Sequence, residues 1–466
     1  MSNVILNKGR IIGSSDGDFD IIQPEENLLV ATYSAPQVYT RPVEWLPMPS
    51  ITPGEDKIHM LVAVHQNKPN YLQLKITGTT YSVDWGDGTV EQFSSGIKAR
   101  RDINFNGTAT ASYYEPHDYR QAIVTITPVG GNFTQFDIHH DTDGTSSPDQ
   151  DVNYSSPYNL DGYSNIMDVY MSAPNLTTLS IGYSHSRLEQ FIYEGTNQIT
   201  AMNSLFASNT RLRKVDIDIT SNCTRMDTMF GSCHSLTEIP QNMDTTNITN
   251  MNSAFGSCYS LKTIPGLTAS NCVDFAALFT SCYSLEEAPN IVMGATAACN
   301  SMFVNCITLR EVPLYDTSSV TRMDSMFNNC RLLETIPTFN TSNVTNMNSM
   351  FYQCYRLRKV PPIDFSNVGT MTNIFYTCYS LTNDRFNRNL PRINASNCTN
   401  MHRMFMYCTR MKIAPYMDTS SVVNMSQMFG VCTSLESVPL YDTSSVVGTN
   451  ANDQGMYYMF QSCYRL

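Results

Sequence analysis

The sequence predicts a multi-domain chain in which an extended N-terminal arm leads into a β-strand module and then into an α/β repeat solenoid with a period of about 24 residues. Three observations carry this. A phenylalanine recurs as Phe206, Phe230, Phe255, Phe279, Phe303, Phe327, Phe351, Phe375, Phe405, Phe429 and Phe460, at spacings of 24, 25, 24, 24, 24, 24, 24, 30, 24 and 31. Upstream, "YSVDW" (81–85) and "AIVTITPV" (122–129) alternate as strands do, and Gly-Asp-Gly at 86–88 makes a tight turn. Before them, "APQVYTRPVEWLPMPSITPG" (35–54) has no periodicity and is broken by prolines, as extended chain is.

Residues 1–54 therefore read as an attachment arm, too irregular to form a core of its own and expected to dock onto something larger. Residues 55–145 form the strand module. Residues 146–200 are a linker and degenerate capping repeats, with "APNLTTLSI" and "SRLEQFIYEG" as weak copies of the unit, since an exposed repeat end needs a cap. Residues 201–466 are the solenoid. At 466 residues the chain exceeds one ordinary core, and a repeat array resolves the problem because each copy buries its stripe only against its neighbours.

Each copy follows M-x-x-M-F-x-x-C-x-x-L-x-x-[VI]-P and ends in a polar turn such as "YDTSSV", "FNTSNV" or "MDTTNI". Relative to the Phe, apolar groups fall at −4, −1, 0, +3 and +6, the spacing of one helical face. The expectation is a short helix over M-x-x-M-F-x-x-C and a short strand over L-x-x-[VI]-P that the proline ends. Ser, Thr, Asn and Asp in the turn cap the next helix. Coils stacked about 4.8 Å apart would make a rod or arc roughly 50 Å long.

The fourteen cysteines fall on this frame. Ten sit three residues after the Phe: Cys233, Cys258, Cys282, Cys306, Cys330, Cys354, Cys378, Cys408, Cys432 and Cys463. Cys223, Cys272 and Cys398 take the −7 position, where other copies carry Val or Ile, and Cys299 takes a Met position. Interchange with aliphatic residues is the behaviour of a small buried hydrophobe, so the ladder reads as structural. A bridge between rungs is conceivable at this spacing, but no rule singles out partners in a uniform column.

The M-F-x-x-C-x-x-L-x-x-[VI]-P unit with its D-T-S-N-V-T-N-M turn resembles the BspA-like leucine-rich repeats, a bacterial surface-protein class also found in mycoplasma lipoproteins and phage proteins. The resemblance covers residues 201–466 and implies an elongated leucine-rich-repeat solenoid used for adhesion or surface recognition, without catalysis. Insertions at 383–389 and 448–454 depart from the pattern and should be loops. The sequence stops at Leu466 inside a unit, so the expectation is a longer protein or a partner over the open end. Upstream, Trp85, Gly86, Asp87 and Gly88, with His117 and Tyr119, resemble the W-G-D-G and H-x-Y signatures of a PKD domain. That resemblance implies an immunoglobulin-like β-sandwich serving as spacer or binding module.

Composition narrows function. A net charge of −12 argues against nucleic acid and anionic membrane as partners. No run approaches eighteen apolar residues, so no membrane insertion is expected, and the N-terminal apolar run is too short for a signal-peptide core. No H-E-x-x-H, C-x-x-C, G-x-S-x-G or phosphate loop occurs, and no paired-carboxylate site emerges, so the chain is read as a non-enzyme without a required cofactor. One acidic loop, with Asp141, Asp143, Asp149 and Asp151, has oxygen ligands enough to bind Ca²⁺ or is a solvated linker. The adjacent His139 and His140 lack a Cys that would complete a tetrahedral set.

The column after the ladder cysteine is more informative: Tyr259, Tyr283, Tyr355, Tyr379 and Tyr464, with His234 and Arg331 in other copies. Lying between buried positions, it should face outward, either as a contact row for sugars or proteins or as rings stacked to shield the backbone. Arg385, Arg388 and Arg392 in the 383–392 insertion are a further contact candidate. The expectation is a bacteriophage virion protein, tail-fibre-like or capsid-decorating and present in many copies or as a homo-oligomer. Its arm would attach to other virion proteins, and its solenoid, displayed on the virion surface, would bind a host surface protein or glycan. A virion component needs no export signal. The alternative is a bacterial cell-surface adhesin.

Overall fold

The computed structural model describes residues 39–67, 70–109, 113–114, 119–138, 165–181, 187–383, 390–447 and 455–466. Its strands are β1 (Lys57–His65), β2 (Tyr71–Thr77), β3 (Thr80–Asp84), β4 (Val90–Phe93), β5 (Lys98–Asp102), β6 (Tyr113–Tyr114), β7 (Tyr119–Val129), β8 (Gln135–Ile138), β9 (Ile166–Ser172), β10 (Thr178–Ser180), β11 (Gln190–Tyr193), β12 (Lys214–Asp216), β13 (Leu267–Ala269) and β14 (Ile291–Met293).

Strand β2 shows why the N-terminal module folds as it does. Its sequence YLQLKIT buries alternate residues, Leu72, Leu74 and Ile76, the period-two pattern of a strand with one covered face. Strand β1, by contrast, is buried almost throughout. Ile58, Met60, Val62 and Val64 share the core with β2. On its other face Leu61 and Ala63 pack with Trp45, Tyr119 and Met167. The segment that covers that second face is part of what reads in sequence as the free arm. Arg41 Nε donates to the buried Asp168 carboxylate at 2.7 Å, and Arg41 Nη2 donates to the Leu46 carbonyl at 2.6 Å. Gln121 accepts from Leu46 N and donates to Glu44 O. Over 39–54, then, the chain docks on its own sheet. Residues 1–38 lie outside the described residues.

Two sheets build the module and neither stops at its edge. One runs β12-β11-β9-β1-β7-β3-β4, with β6 on β7, and the other β10-β8-β2-β5. Strand β9 is antiparallel to β1 but parallel to β11, which is parallel to β12. The sheet thus changes from antiparallel pairing to one parallel strand per coil, and the repeat grows directly from it. A single buried cluster extends from Ile58 to Met459.

The W-G-D-G turn is held by buried polar contacts. Gly86 and Gly88 have φ of +73° and +87°, and a Cβ on Gly86 would stand 2.7 Å from the Ile123 carbonyl oxygen, so only glycine fits there. Trp85 is fully buried and donates to Glu91 at 2.7 Å. Asp87 accepts from Arg101 Nε at 2.9 Å and from the Asn104 and Thr89 amides at 3.1 Å. Burial alone would push its carboxyl up, but these donors outweigh it and hold the group below its ordinary value. A depressed carboxylate stabilises the fold above the unfolded value, near 4, and that stability is lost as pH falls through the folded value. Asp87→Asn should flatten the acid limb of stability against pH and cost about 2 kcal/mol at neutral pH, checked by urea unfolding between pH 2 and 7.

The expected helix does not form, and no helix occurs among the described residues. The Met323–Cys330 segment shows why. Two residues per copy, at −2 and +2 from the Phe, have φ between +50° and +66°, as Ser325 and Asn329 do here. Left-handed residues break the run of i→i−4 bonds, so amides alternate between two partners. Met326, Asn328 and Cys330 donate three residues back, to Met323, Ser325 and Phe327. Met323, Ser325, Phe327 and Asn329 donate along the axis to Asn346, Asn348, Met350 and Tyr352 of the next coil. The result is a run of tight turns with φ > 0 residues of the type II kind, in which seven of the eight amides from Met323 to Cys330 donate to a backbone carbonyl. Each left-handed residue costs on the order of 1 kcal/mol, offset by the inter-coil bond its amide makes.

The strand expectation over L-x-x-[VI]-P is also corrected. Only Lys214–Asp216 forms a strand there, and other copies reduce it to single parallel bridges such as Glu287↔Glu311 and Ile413↔Ser437. Strands β13 and β14 lie beyond the proline. The most continuous ladder falls five residues before the Phe, through Ala201, Arg225, Asn250, Asp274, Ala298, Arg322 and Asn346. Inside it, the eleven phenylalanine rings form one offset stack with centroids 5.3–5.8 Å apart.

Candidate functional site

All fourteen cysteines carry free thiols, and only Cys463 is not fully buried. The ladder cysteines do more than fill space. For each of the ten ladder cysteines the Sγ lies 3.0–3.2 Å from the Phe carbonyl of the preceding copy. That oxygen already accepts the backbone amide three residues on, as Phe327 O accepts from Cys330 N. The thiol of Cys354 donates to its second lone pair. Cysteine is thus the small apolar residue that also supplies a donor between coils, a role its interchange with Val and Ile elsewhere did not signal. Burial pushes the thiols up, Cys282 to about 12 and Cys330 well above the ordinary value. Thiol reagents should therefore label the folded ladder at least about a hundredfold more slowly than the unfolded chain, Cys463 reacting first; labelling is read by timed mass spectrometry.

Because the +3 residue points inward to that carbonyl, the +4 residue emerges beside it. The +5 amide then donates to the +4 carbonyl of the previous coil, as Arg356 N does to Arg331 O and Ser380 N to Tyr355 O. This fixes the +4 side chains in register, and their rings stack. His234 and Tyr259 lie 4.1 Å apart and Tyr259 and Tyr283 4.7 Å, nearly parallel. Ile307 interrupts the row. Beyond it the Arg331 guanidinium sits 5.5 Å from the centre of the Tyr355 ring, and Tyr379 follows at 5.3 Å. The row faces outward, but stacking leaves these rings half-buried. Arg331 is fixed by an amide chain: its Nε donates to Asn329, which donates to Asn305, which donates to Ser281.

A second row was not legible in the sequence. Tyr352 and Tyr376 stack at 4.8 Å, and Tyr407 meets Tyr376 edge-on at 5.6 Å. Tyr379 interacts with both Tyr376 and Tyr407. Over three coils, five tyrosines thus form one patch. Burial is the first cause pushing Tyr379 up to about 12, with Tyr355, Tyr407 and Tyr376 adding to it. Tyr355 and Tyr376 are raised for the same reason. All three hydroxyls stay protonated donors at neutral pH. The charged groups acting on Tyr355 and Tyr376 are the guanidiniums of Arg331 and Arg403.

Arg385, Arg388, Asp141, Asp143, Asp149 and Asp151 lie outside the described residues, as do His117, His139 and His140. Among the described residues no three His, Cys, Asp or Glu converge as metal ligands would, and no helix is long and apolar enough to cross a membrane. A cavity of about 200 Å³ lies where the docked segment meets the sheet, lined by Trp45, Tyr119, Met167, Arg187, Glu189 and Arg211 among others. Its two rings already carry the chain's own cations, Arg41 over Trp45 and Arg187 over Tyr119, so it reads as the clasp of the docked segment.

Residues 184–291, 297–413 and 411–466, more than half of the chain, match the family described as "Mycoplasma protein of unknown function, DUF285". No curated protein matches the sequence. Similar solved structures include a leucine-rich repeat protein from Eubacterium ventriosum, at 12% identity over 54% of this chain and 83% of that one, with a TM-score of 0.24. A TLR13–ssRNA13 complex is 14% identical over 59% and 52%, with a TM-score of 0.21. The plant peptide hormone receptor RGFR1 in complex with RGF2 is 12% identical over 59% and 59%, with a TM-score of 0.20. At TM-scores this low the three likenesses say nothing about what this chain binds. The repeat itself is a solenoid of about 24-residue period resembling leucine-rich repeats, of the BspA-like kind.

Proposed function

The chain belongs to the DUF285 family of proteins of unknown function, and from that premise we propose that it is a non-enzymatic surface-recognition protein, carried on a bacteriophage virion as a tail-fibre-like or capsid-decorating component. The observation that carries recognition is the tyrosine patch. Outward aromatic groups in a fixed register, half-buried and backed by an unbroken core, form a contact surface whose ordering cost is already met before a partner arrives. The solenoid would bind a host surface protein or glycan. The two-sheet module, with its Trp85–Gly88 turn, would act as a PKD-like spacer, and residues 1–38 as the attachment to other virion proteins. No metal or cofactor is needed for this role.

A bacterial cell-surface adhesin is the second reading, and the family's description as a Mycoplasma protein favours it. Mass spectrometry of purified virions separates the two. Stoichiometric copies of the chain in virions support the first reading, whereas absence from virions with recovery from washed cell surfaces would replace it with the second.

A further inference from the structure

The tyrosine patch presents a particular chemistry, because its stacked rings use their faces on one another. Tyr352 and Tyr376 are parallel within 4°, and the faces of Tyr355 are shared between Arg331 and Tyr379. Apart from Tyr407, which meets Tyr376 edge-on, these rings leave a partner chiefly their edges and phenolic hydroxyls. A ring edge is the positive part of the aromatic quadrupole, and a protonated hydroxyl is a donor. Arg331 adds a full positive charge at one end of the patch, with no carboxylate paired to it among the described residues. A neutral sugar that stacks its ring on an aromatic face would find few faces free. An acceptor-rich anion meets edges, hydroxyls and a guanidinium, all of complementary sign.

The patch is also linear. It follows the coil stack, with ring centroids 4.8–5.6 Å apart from coil to coil. A row of near-identical weak donors at a fixed repeat suits a polymer that repeats its acceptors, since each coil adds one contact and the contacts reinforce one another. Resting on the reading of this row as the contact surface, we propose that Arg331, Tyr355, Tyr379 and Tyr407, with Tyr352 and Tyr376 beside them, bind a linear polysaccharide bearing carboxylate groups. The raised tyrosines keep the hydroxyls protonated as such a polymer approaches, and the overall charge of −12 restricts binding to this local reversal of sign.

The test uses the full chain and three probes: alginate, hyaluronate and neutral dextran, followed by calorimetry at 50 and 300 mM salt. Binding to a polyuronate but not to dextran, weakened at high salt, is the expected result. Alginate preferred over hyaluronate points to a microbial source of the glycan, and the reverse to an animal one. The Tyr355→Phe, Tyr379→Phe, Tyr407→Phe triple variant keeps the ring stack and removes only donors, and it should raise Kd at least about tenfold. Arg331→Gln should do the same, while Arg322→Gln, in a different column, leaves Kd unchanged. Equal binding of dextran, or full affinity in the triple variant, overturns the inference. If the chain instead attaches to cells or to an acidic peptide through this row while ignoring both polyuronates, the glycan assignment falls and surface recognition stands.

Discussion

Raising the pH from about 8.5 to 11 is expected to unfold the protein cooperatively, well before its amide or arginine chemistry is affected. The ladder thiols have folded values raised above the ordinary one, through burial first and then through neighbouring thiols. A raised thiol contributes stability that is fully present below the unfolded value, near 9, and that is lost as pH rises through the folded value. Each protonated buried thiol then removes about 1.4 kcal/mol of stability per pH unit relative to an ionised unfolded one. With the nine fully buried ones in the column the slope is on the order of 10 kcal/mol per unit once all are engaged, which no domain of ordinary stability survives for long. Circular dichroism and intrinsic fluorescence against pH check this. An intact fold at pH 11 would mean that the thiols are solvated and the ladder is not closed.

The second large effect is expected from Phe327→Ala. Phe327 is fully buried and lies in the middle of the stack, 5.7 Å from Phe303, 5.8 Å from Phe351 and 6.3 Å from Phe339. Removing the ring leaves a cavity that neighbouring coils, tied through their backbones, cannot close, at a cost of about 4 kcal/mol. Because each coil contacts only its neighbours, the damage should also divide the array. Hydrogen exchange should then show the coils around residue 327 opening first. Denaturant unfolding gives the cost, and a loss below about 1 kcal/mol would show that the stack is loosely packed.

The Phe and Cys columns were legible because a one-dimensional array repeats its core at a fixed interval, so period alone places Phe327 over Phe303. The local conformation was not. Apolar groups at −4, −1, 0 and +3 suit a helix, yet they also suit successive four-residue turns. The residues that decide between them are the left-handed ones. Several are Ser or Asn, such as Ser232, Asn305 and Asn329, whose small polar side chains tolerate that region. Arg403, Tyr407 and Val431 occupy the same columns, so residue type alone does not mark them. The backbone bond along the axis, which makes the conformation worth its cost, is invisible in a single copy.

The candidate site divides in the same way. Tyr259, Tyr283, Arg331, Tyr355 and Tyr379 share one column and could be read from spacing. Tyr352 and Tyr376 fall in a column where other copies carry Gly231, Gly256 or Asn328, and Tyr407 falls in the next, where they carry Ser232 or Asn329, so only folding shows that they join the patch. The docking of Arg41 and Trp45 onto β1 and β9 joins residues more than a hundred positions apart and left no local pattern to read.

Adhesion of the fluorescently labelled full chain to a panel of bacterial and animal cells tests the central claim most directly, with the wild type compared against a Tyr355→Ser, Tyr379→Ser variant shown by circular dichroism to remain folded. The account predicts saturable attachment of the wild type to at least one surface and a loss of at least about tenfold in the variant. Equal attachment of the two proteins, or none by the wild type to any surface, would contradict it.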